Sequence, residues 1–168
     1  MASEAQQPYP GEMAAPEQVL LLADEYRKAA HLLLQLGRPG GQLSRAPFRL
    51  VAIHAIELYL NALLLHRGHA PSQVRGLQHD LAQRAELAVA AGLKLRSRTA
   101  AHLTAIARNR EYLVIRYGPE LNGTSSQINR LTATLDELAK KVTKELAGSP
   151  RGLEQPDSHP RLALIKAA

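Results

Sequence analysis

Across its 168 residues the chain has no cysteine and no tryptophan. The missing thiols exclude a disulfide framework, a cysteine nucleophile and a thiolate metal site, and they fit a reducing, cytoplasmic setting. Aromatics are scarce, five Tyr and one Phe, so platforms for stacking single-stranded bases are poorly supplied. No long stretch is purely apolar. The most apolar one, 48–65, is interrupted by Arg49, His54, Glu57 and Asn61 and falls short of the roughly 20 apolar residues of a membrane span. The opening residues, Met1 to Pro8, contain neither a basic nor an apolar segment and do not read as a secretory signal. There is no P-loop, no glycine-rich strand-to-helix turn and no nucleophile elbow, so nothing supports nucleotide hydrolysis or hydride transfer. The expectation is a soluble, cytoplasmic protein with no membrane contact and no cofactor.

What is present is leucine, alanine, glutamate and arginine, with 45% hydrophobic content and few strand formers. This composition predicts an all-α domain over 16–147, an antiparallel bundle of four to five helices, between flexible tails at 1–15 and 148–168. The first helix starts at Pro16, suited to a first turn because it has no amide hydrogen to leave unpaired, and stops at Gly37. Val19, Leu22, Tyr26, Ala29, Leu33 and Leu36 form its expected buried stripe. A second helix, from about Pro47 to Gly68, is apolar nearly all round and is expected at the centre. A third opens at His79-Asp80, with His79 in a capping role, and ends at Gly92. A fourth, capped by Ser97, runs to Tyr117. A fifth, capped by Thr124 or Ser125, carries Ile128, Leu131, Leu135, Leu138, Val142 and Leu146, a seam for the bundle or for a second copy.

Four blocks in order resemble the HEPN domain, a small helical bundle of prokaryotic toxin and defence proteins. Leu22-Ala-Asp-Glu-Tyr-Arg-Lys-Ala-Ala-His-Leu-Leu is similar to its first helix. His54-Ala-Ile-Glu-Leu-Tyr-Leu-Asn-Ala-Leu is similar to its "A-x-E-L-x-L-K-A-x-L" helix, with Asn61 in place of the lysine. Gln78-His-Asp-Leu is similar to its "H-D-L" helix start. Ile115-Arg-Tyr-Gly is similar to its "R-Y-P" close, with Gly118 before the proline. The resemblance implies a dimeric bundle. It also implies either a metal-independent ribonuclease, acting through an arginine followed after four to six residues by histidine, or a binding module without that motif. The latter takes RNA, a nucleotide or a partner such as a nucleotidyltransferase-type protein, in a toxin–antitoxin or defence system.

Arg108-Asn109 looks like the first half of the ribonuclease motif, but no histidine follows at the required spacing, and an arginine alone offers no proton carrier suited to neutral pH. Arg49 with His54 and Arg96 with His102 satisfy the spacing; the first pair lies about 140° apart around one helix, so Arg96 and His102 are the catalytic candidates. Arg108, Asn109, Arg110, Arg116 and Tyr117 are the candidate binding residues. His54, Glu57 and Asn61 share one side of the apolar second helix as a buried polar cluster. A carboxylate there requires a cation; Leu103, Ile106, Arg110, Leu113 and Tyr117 share a stripe, so the expected partner of Glu57 is Arg110 or Arg116. His66 and His69 flank Gly68 but lack a third ligand, so no metal site is expected.

The net charge is +6, and because residues 1–25 hold five acids and no base, the remainder carries +11. Residues 94–116 hold Lys94, Arg96, Arg98, Arg108, Arg110 and Arg116 against Glu111 alone, a surface able to follow a phosphate backbone. A rival reading is a helix-turn-helix DNA binder, with 118–123 as turn and Thr124 to Arg130 opening the recognition helix.

Overall fold

The computed structural model describes residues 8–148, and all regular structure among them is helical. The α-helices are α1 (Pro16–Gln35), α2 (Ala46–His66), α3 (Pro71–Gly76), α4 (Leu81–Ala90), α5 (Ser97–Arg108), α6 (Glu111–Tyr117) and α7 (Ile128–Gly148). Short 3-10 turns, Gln42–Arg45 and Pro119–Thr124, precede α2 and α7. The sequence predicted α1, α2, α4 and α7 within a few residues; it did not predict α3, and it joined α5 to α6.

α2 is the axis of the molecule. Ten of its side chains are buried, among them Phe48, Ile56, Tyr59, Leu60 and Leu63. By length and mean hydropathy the segment Gln42–His66 is apolar enough to cross a membrane, contrary to the estimate from its polar interruptions. Its apolar surface is instead covered by α1 on one side and α7 on another, with α4 and α6 completing the shell. Of the two roles open to the α7 stripe, it takes the one inside the bundle, with Leu131, Leu135, Leu138 and Val142 fully buried. Burial of that order drives helix association, at about 25 cal/mol per Å² of apolar surface removed from water.

α1 turns a different face inward than its leucines suggest. Ala23 and Ala30 are fully buried and Leu20, Tyr26, Leu33 and Leu34 pack around them, whereas Leu22 and Leu36 are exposed. Small residues at the contact let the α1 and α2 backbones approach closely. Tyr59 of α2 then donates its hydroxyl to Asp24 Oδ1 at 2.5 Å. On the neighbouring side Arg27 and His31 both reach Asp136 of α7, at 2.8 and 3.1 Å.

The helix expected over 97–117 is broken. α5 closes through Asn109, whose amide bonds to Ala105, and Arg110 adopts φ 51°, the left-handed region. The chain changes direction there and α6 begins at Glu111. The caps also differ from expectation. Asp80 caps α4 by accepting the Gln83 amide at 3.0 Å, while His79 is engaged elsewhere. The start of α5 is served from α7: Glu137 accepts the Arg96 amide at 2.9 Å and the Thr99 hydroxyl at 2.5 Å. The Thr124 hydroxyl turns back to the Leu121 carbonyl, and the Ser125 hydroxyl has no hydrogen-bond partner. Of the expected tails, residues 8–15 are among the described residues, and 1–7 and 149–168 lie outside them.

Candidate functional site

The floor of the main cleft comes from α2, where residues four apart stack on one face. Glu57 and Asn61 face the opening of α4, and α4 returns an arginine from its own apolar stripe, Leu81, Arg84, Ala85 and Ala88, all buried. Arg84 is 2% exposed and is saturated with partners. Its Nε donates to Asn61 Oδ1 at 2.8 Å, and its terminal nitrogens donate to the carbonyls of Leu77, Asp80 and Val74 at 3.2–3.3 Å. Its Nη2 also lies 3.6 Å from Glu57 Oε1. Burial depresses the Arg84 pKa, and Glu57 and then Asp80 oppose that shift.

Glu57 thus faces the Arg84 guanidinium, and the Nδ1 of His79 lies 3.0 Å from its Oε2. The expected partners, Arg110 and Arg116, are both exposed. The physical reason is the chain reversal at Arg110, which ends the stripe that would have aimed it inward. The signal available for Arg84 was its place among Leu81, Ala85 and Ala88, where an arginine interrupts an apolar face.

His54 stands one turn before Glu57, its ring edge-on to Tyr26 at 4.6 Å between centroids. Burial lowers its pKa, Glu57 counteracts this, and the charge of Arg116 adds to the lowering, so His54 is a neutral imidazole at pH 7. Asn61 gives its oxygen to Arg84, which leaves its amide N–H groups to whatever enters the cleft.

The cleft has a volume of about 1090 Å³. Val19, Leu22, Leu58 and Leu65 supply apolar wall, while His54, Glu57, Asn61, His79 and Arg84 supply the polar floor. Residues 9–14, expected to be a flexible tail, form one rim: Tyr9 lies over the Arg75 guanidinium at 4.3 Å, and its amide bonds to Glu12. Gln78 and His79 line a second groove of about 470 Å³, shared with Arg108, Arg110 and Tyr112. His79 therefore stands on the ridge between the two, its ring 4.7 Å from that of Tyr112. Both non-glycine residues with left-handed backbone among the described residues, Gln78 (φ 49°) and Arg110 (φ 51°), line this second groove. Such backbone is uncommon and gathers at functional sites.

No family model, curated protein or solved structure matches the chain.

The remaining candidates fall elsewhere. Arg96 and His102 are not brought together: the Arg96 side chain is 80% exposed, whereas His102 is buried between α5 and α7 with both ring nitrogens occupied. Nε2 meets Ser126 Oγ and Nδ1 meets Thr134 Oγ1, each at 2.7 Å. Because Ser126 Oγ donates to Glu111 Oε1 at 2.7 Å, Ser126 accepts from Nε2–H, and in the neutral ring that burial favours Thr134 donates to Nδ1. Burial, reinforced by Arg130, pushes the His102 pKa down to about 4. Glu111, counted above only as a surface charge, is 2% exposed and also accepts the Ser126 amide at 3.0 Å. This chain of bonds ties α5, α6 and the entry to α7 together.

Arg49 donates to the Ser126 carbonyl at 3.2 Å and does not meet His54. Arg108, Asn109, Arg110, Arg116 and Tyr117 are all exposed, as are Lys94, Arg96 and Arg98. No group of three His, Asp or Glu among the described residues is arranged to hold a metal ion. In the helix-turn-helix segment, Gln127, Asn129 and Arg130 are exposed at the start of α7, while its apolar residues are committed to the core.

Proposed function

We propose that this chain is a HEPN-like binding module that holds a nucleotide, or one nucleotide unit of an RNA strand, across the cleft and the adjoining arginine groove. The observation that carries the reading is the continuity of two unlike surfaces through Gln78 and His79. An apolar-walled cleft with a neutral imidazole, a carboxylate and an unclaimed amide suits a polar heterocycle. Exposed guanidinium groups of Arg108 and Arg110 beside it suit a phosphate. A setting in a toxin–antitoxin or defence system with a nucleotidyltransferase-type partner rests on the resemblance alone. Calorimetric titration with nucleoside monophosphates and short RNA tests the reading. Saturable binding is expected, weakened about tenfold or more by Asn61→Leu and by Arg108→Ala with Arg110→Ala, which corresponds to about 1.4 kcal/mol per tenfold. Binding that ignores both sets of substitutions, or no binding at all, rejects it.

A second reading, metal-independent endoribonuclease, has one observation in its favour. His79 is oriented by Glu57 through Nδ1, leaving Nε2 as a proton acceptor in the groove that Arg108 lines. A histidine held this way stands in for the one Arg108 lacks in its own helix. In that chemistry Nε2 takes the 2′-hydroxyl proton as the 2′-oxygen bonds to phosphorus, and the 5′-oxygen leaves with a proton from the imidazolium or water. Arginine stabilises the charge on the pentavalent phosphorus. RNA incubated with the protein and a chelator decides: cleavage abolished by His79→Ala establishes the enzyme, and intact RNA leaves the binding module.

A further inference from the structure

α1 carries a second pattern on the side its own bundle leaves open. Gln18, Leu21, Glu25, Lys28, Leu32 and Gln35 are all exposed, the two leucines at 65% and 66%. They lie opposite the buried Ala23 and Ala30, and their alternating spacing of three and four residues is that of a heptad seam. The order is the same from either end, glutamine, leucine, charge, charge, leucine, glutamine, with acid and base exchanged about the point between Tyr26 and Arg27. A row with this symmetry is complementary to itself when reversed.

We infer that α1 is the seam of a two-fold symmetric homodimer in which the two α1 helices lie antiparallel. That register sets Leu21 on the partner's Leu32, Glu25 on the partner's Lys28 and Gln18 on the partner's Gln35. Within one chain Glu25 and Lys28 already form an ion pair at 2.6 Å; across the two-fold axis each Glu25 gains a second ammonium, closing a ring of four alternating charges. A parallel arrangement puts like charges on one another at both positions, so direction and register are selected electrostatically. The contact is isologous, which closes the assembly at two copies. An unlike partner would have no need for a pattern symmetric about its own midpoint. The inference stands whether or not the cleft binds a nucleotide.

Sedimentation equilibrium of the full chain is expected to give twice the 18.3 kDa monomer mass. Glu25→Lys alone or Lys28→Glu alone gathers four like charges at the axis and returns the mass to that of the monomer. The double swap restores opposite pairing and the dimer. These positions are exposed, so circular dichroism is expected to show each variant fully helical. Because the chain has no cysteine, direction is tested by oxidation. Leu21→Cys mixed with Leu32→Cys cross-links between chains, and Leu21→Cys alone does not. A monomeric wild type, including one whose seam is covered by residues 149–168, overturns the inference. So does a dimer indifferent to both charge substitutions, or cross-linking of Leu21→Cys to itself.

Discussion

Arg84 shows how one side chain can organise a site. It spans from α4 to α2, satisfies three carbonyls and the Asn61 oxygen, and faces Glu57. Removing its charge leaves a half-buried carboxylate with only His79 and leaves those acceptors without a donor. Arg84→Met is therefore expected to cost on the order of 3–5 kcal/mol in urea unfolding, whereas Arg110→Leu, at an exposed position, is expected to leave the midpoint nearly unchanged. Equal costs would return Glu57 to an Arg110 pairing. The need for a cation at Glu57 was legible in the sequence, since an acid at that place on an apolar helix requires one. Which arginine supplies it was not, because Arg84 and Arg110 each share a stripe with apolar residues, and only the backbone at Arg110 separates them.

At the level of the element, the break between α5 and α6 decides more than its length suggests. Arg110 at φ 51° directs the basic residues of 108–116 outward and lets Glu111 turn in to Ser126. A non-glycine residue in that region is held at a cost of about 1 kcal/mol, so Arg110→Gly is expected to leave stability unchanged or raised. Ala101→Gly inside α5 is expected to lower it by about 1 kcal/mol. If both variants lose the same amount in thermal unfolding, 97–117 is one continuous helix. In α1 the leucine count misled the phase, because Ala23 and Ala30 rather than Leu22 and Leu36 face the core. Alanine signals burial weakly, yet it is what close helix approach requires, and the displaced Leu22 is left to wall the cleft.

For the molecule as a whole, two buried groups bias stability toward neutral pH. His102 is neutral when folded and holds a pKa of about 4 against an ordinary 6.5, so the unfolded chain binds its proton first. The stability it confers is present above pH 6.5 and is lost as pH falls toward 4, a difference on the order of 3 kcal/mol. Burial would push the Glu137 carboxyl up, but hydrogen bonds from Lys141, Thr99 and the Arg96 amide outweigh it and hold it below its usual 4.5. Its contribution is lost only below that value. Urea midpoints measured across pH 7 to 4 are expected to fall steadily, and His102→Gln is expected to flatten the fall between 6.5 and 4; an unchanged slope would remove the buried neutral imidazole. Helical class, the central place of α2, the apolar stripe of α7 and the presence of a polar cluster follow from periodicity and composition, because burying apolar faces is a property each segment carries by itself. The partner of Glu57, the burial of His102 and the meeting of His79 with Arg108 in one groove join residues far apart in the chain. Such contacts depend on where the backbone turns and how closely helices pack, and those are settled only when every element competes for the same interior.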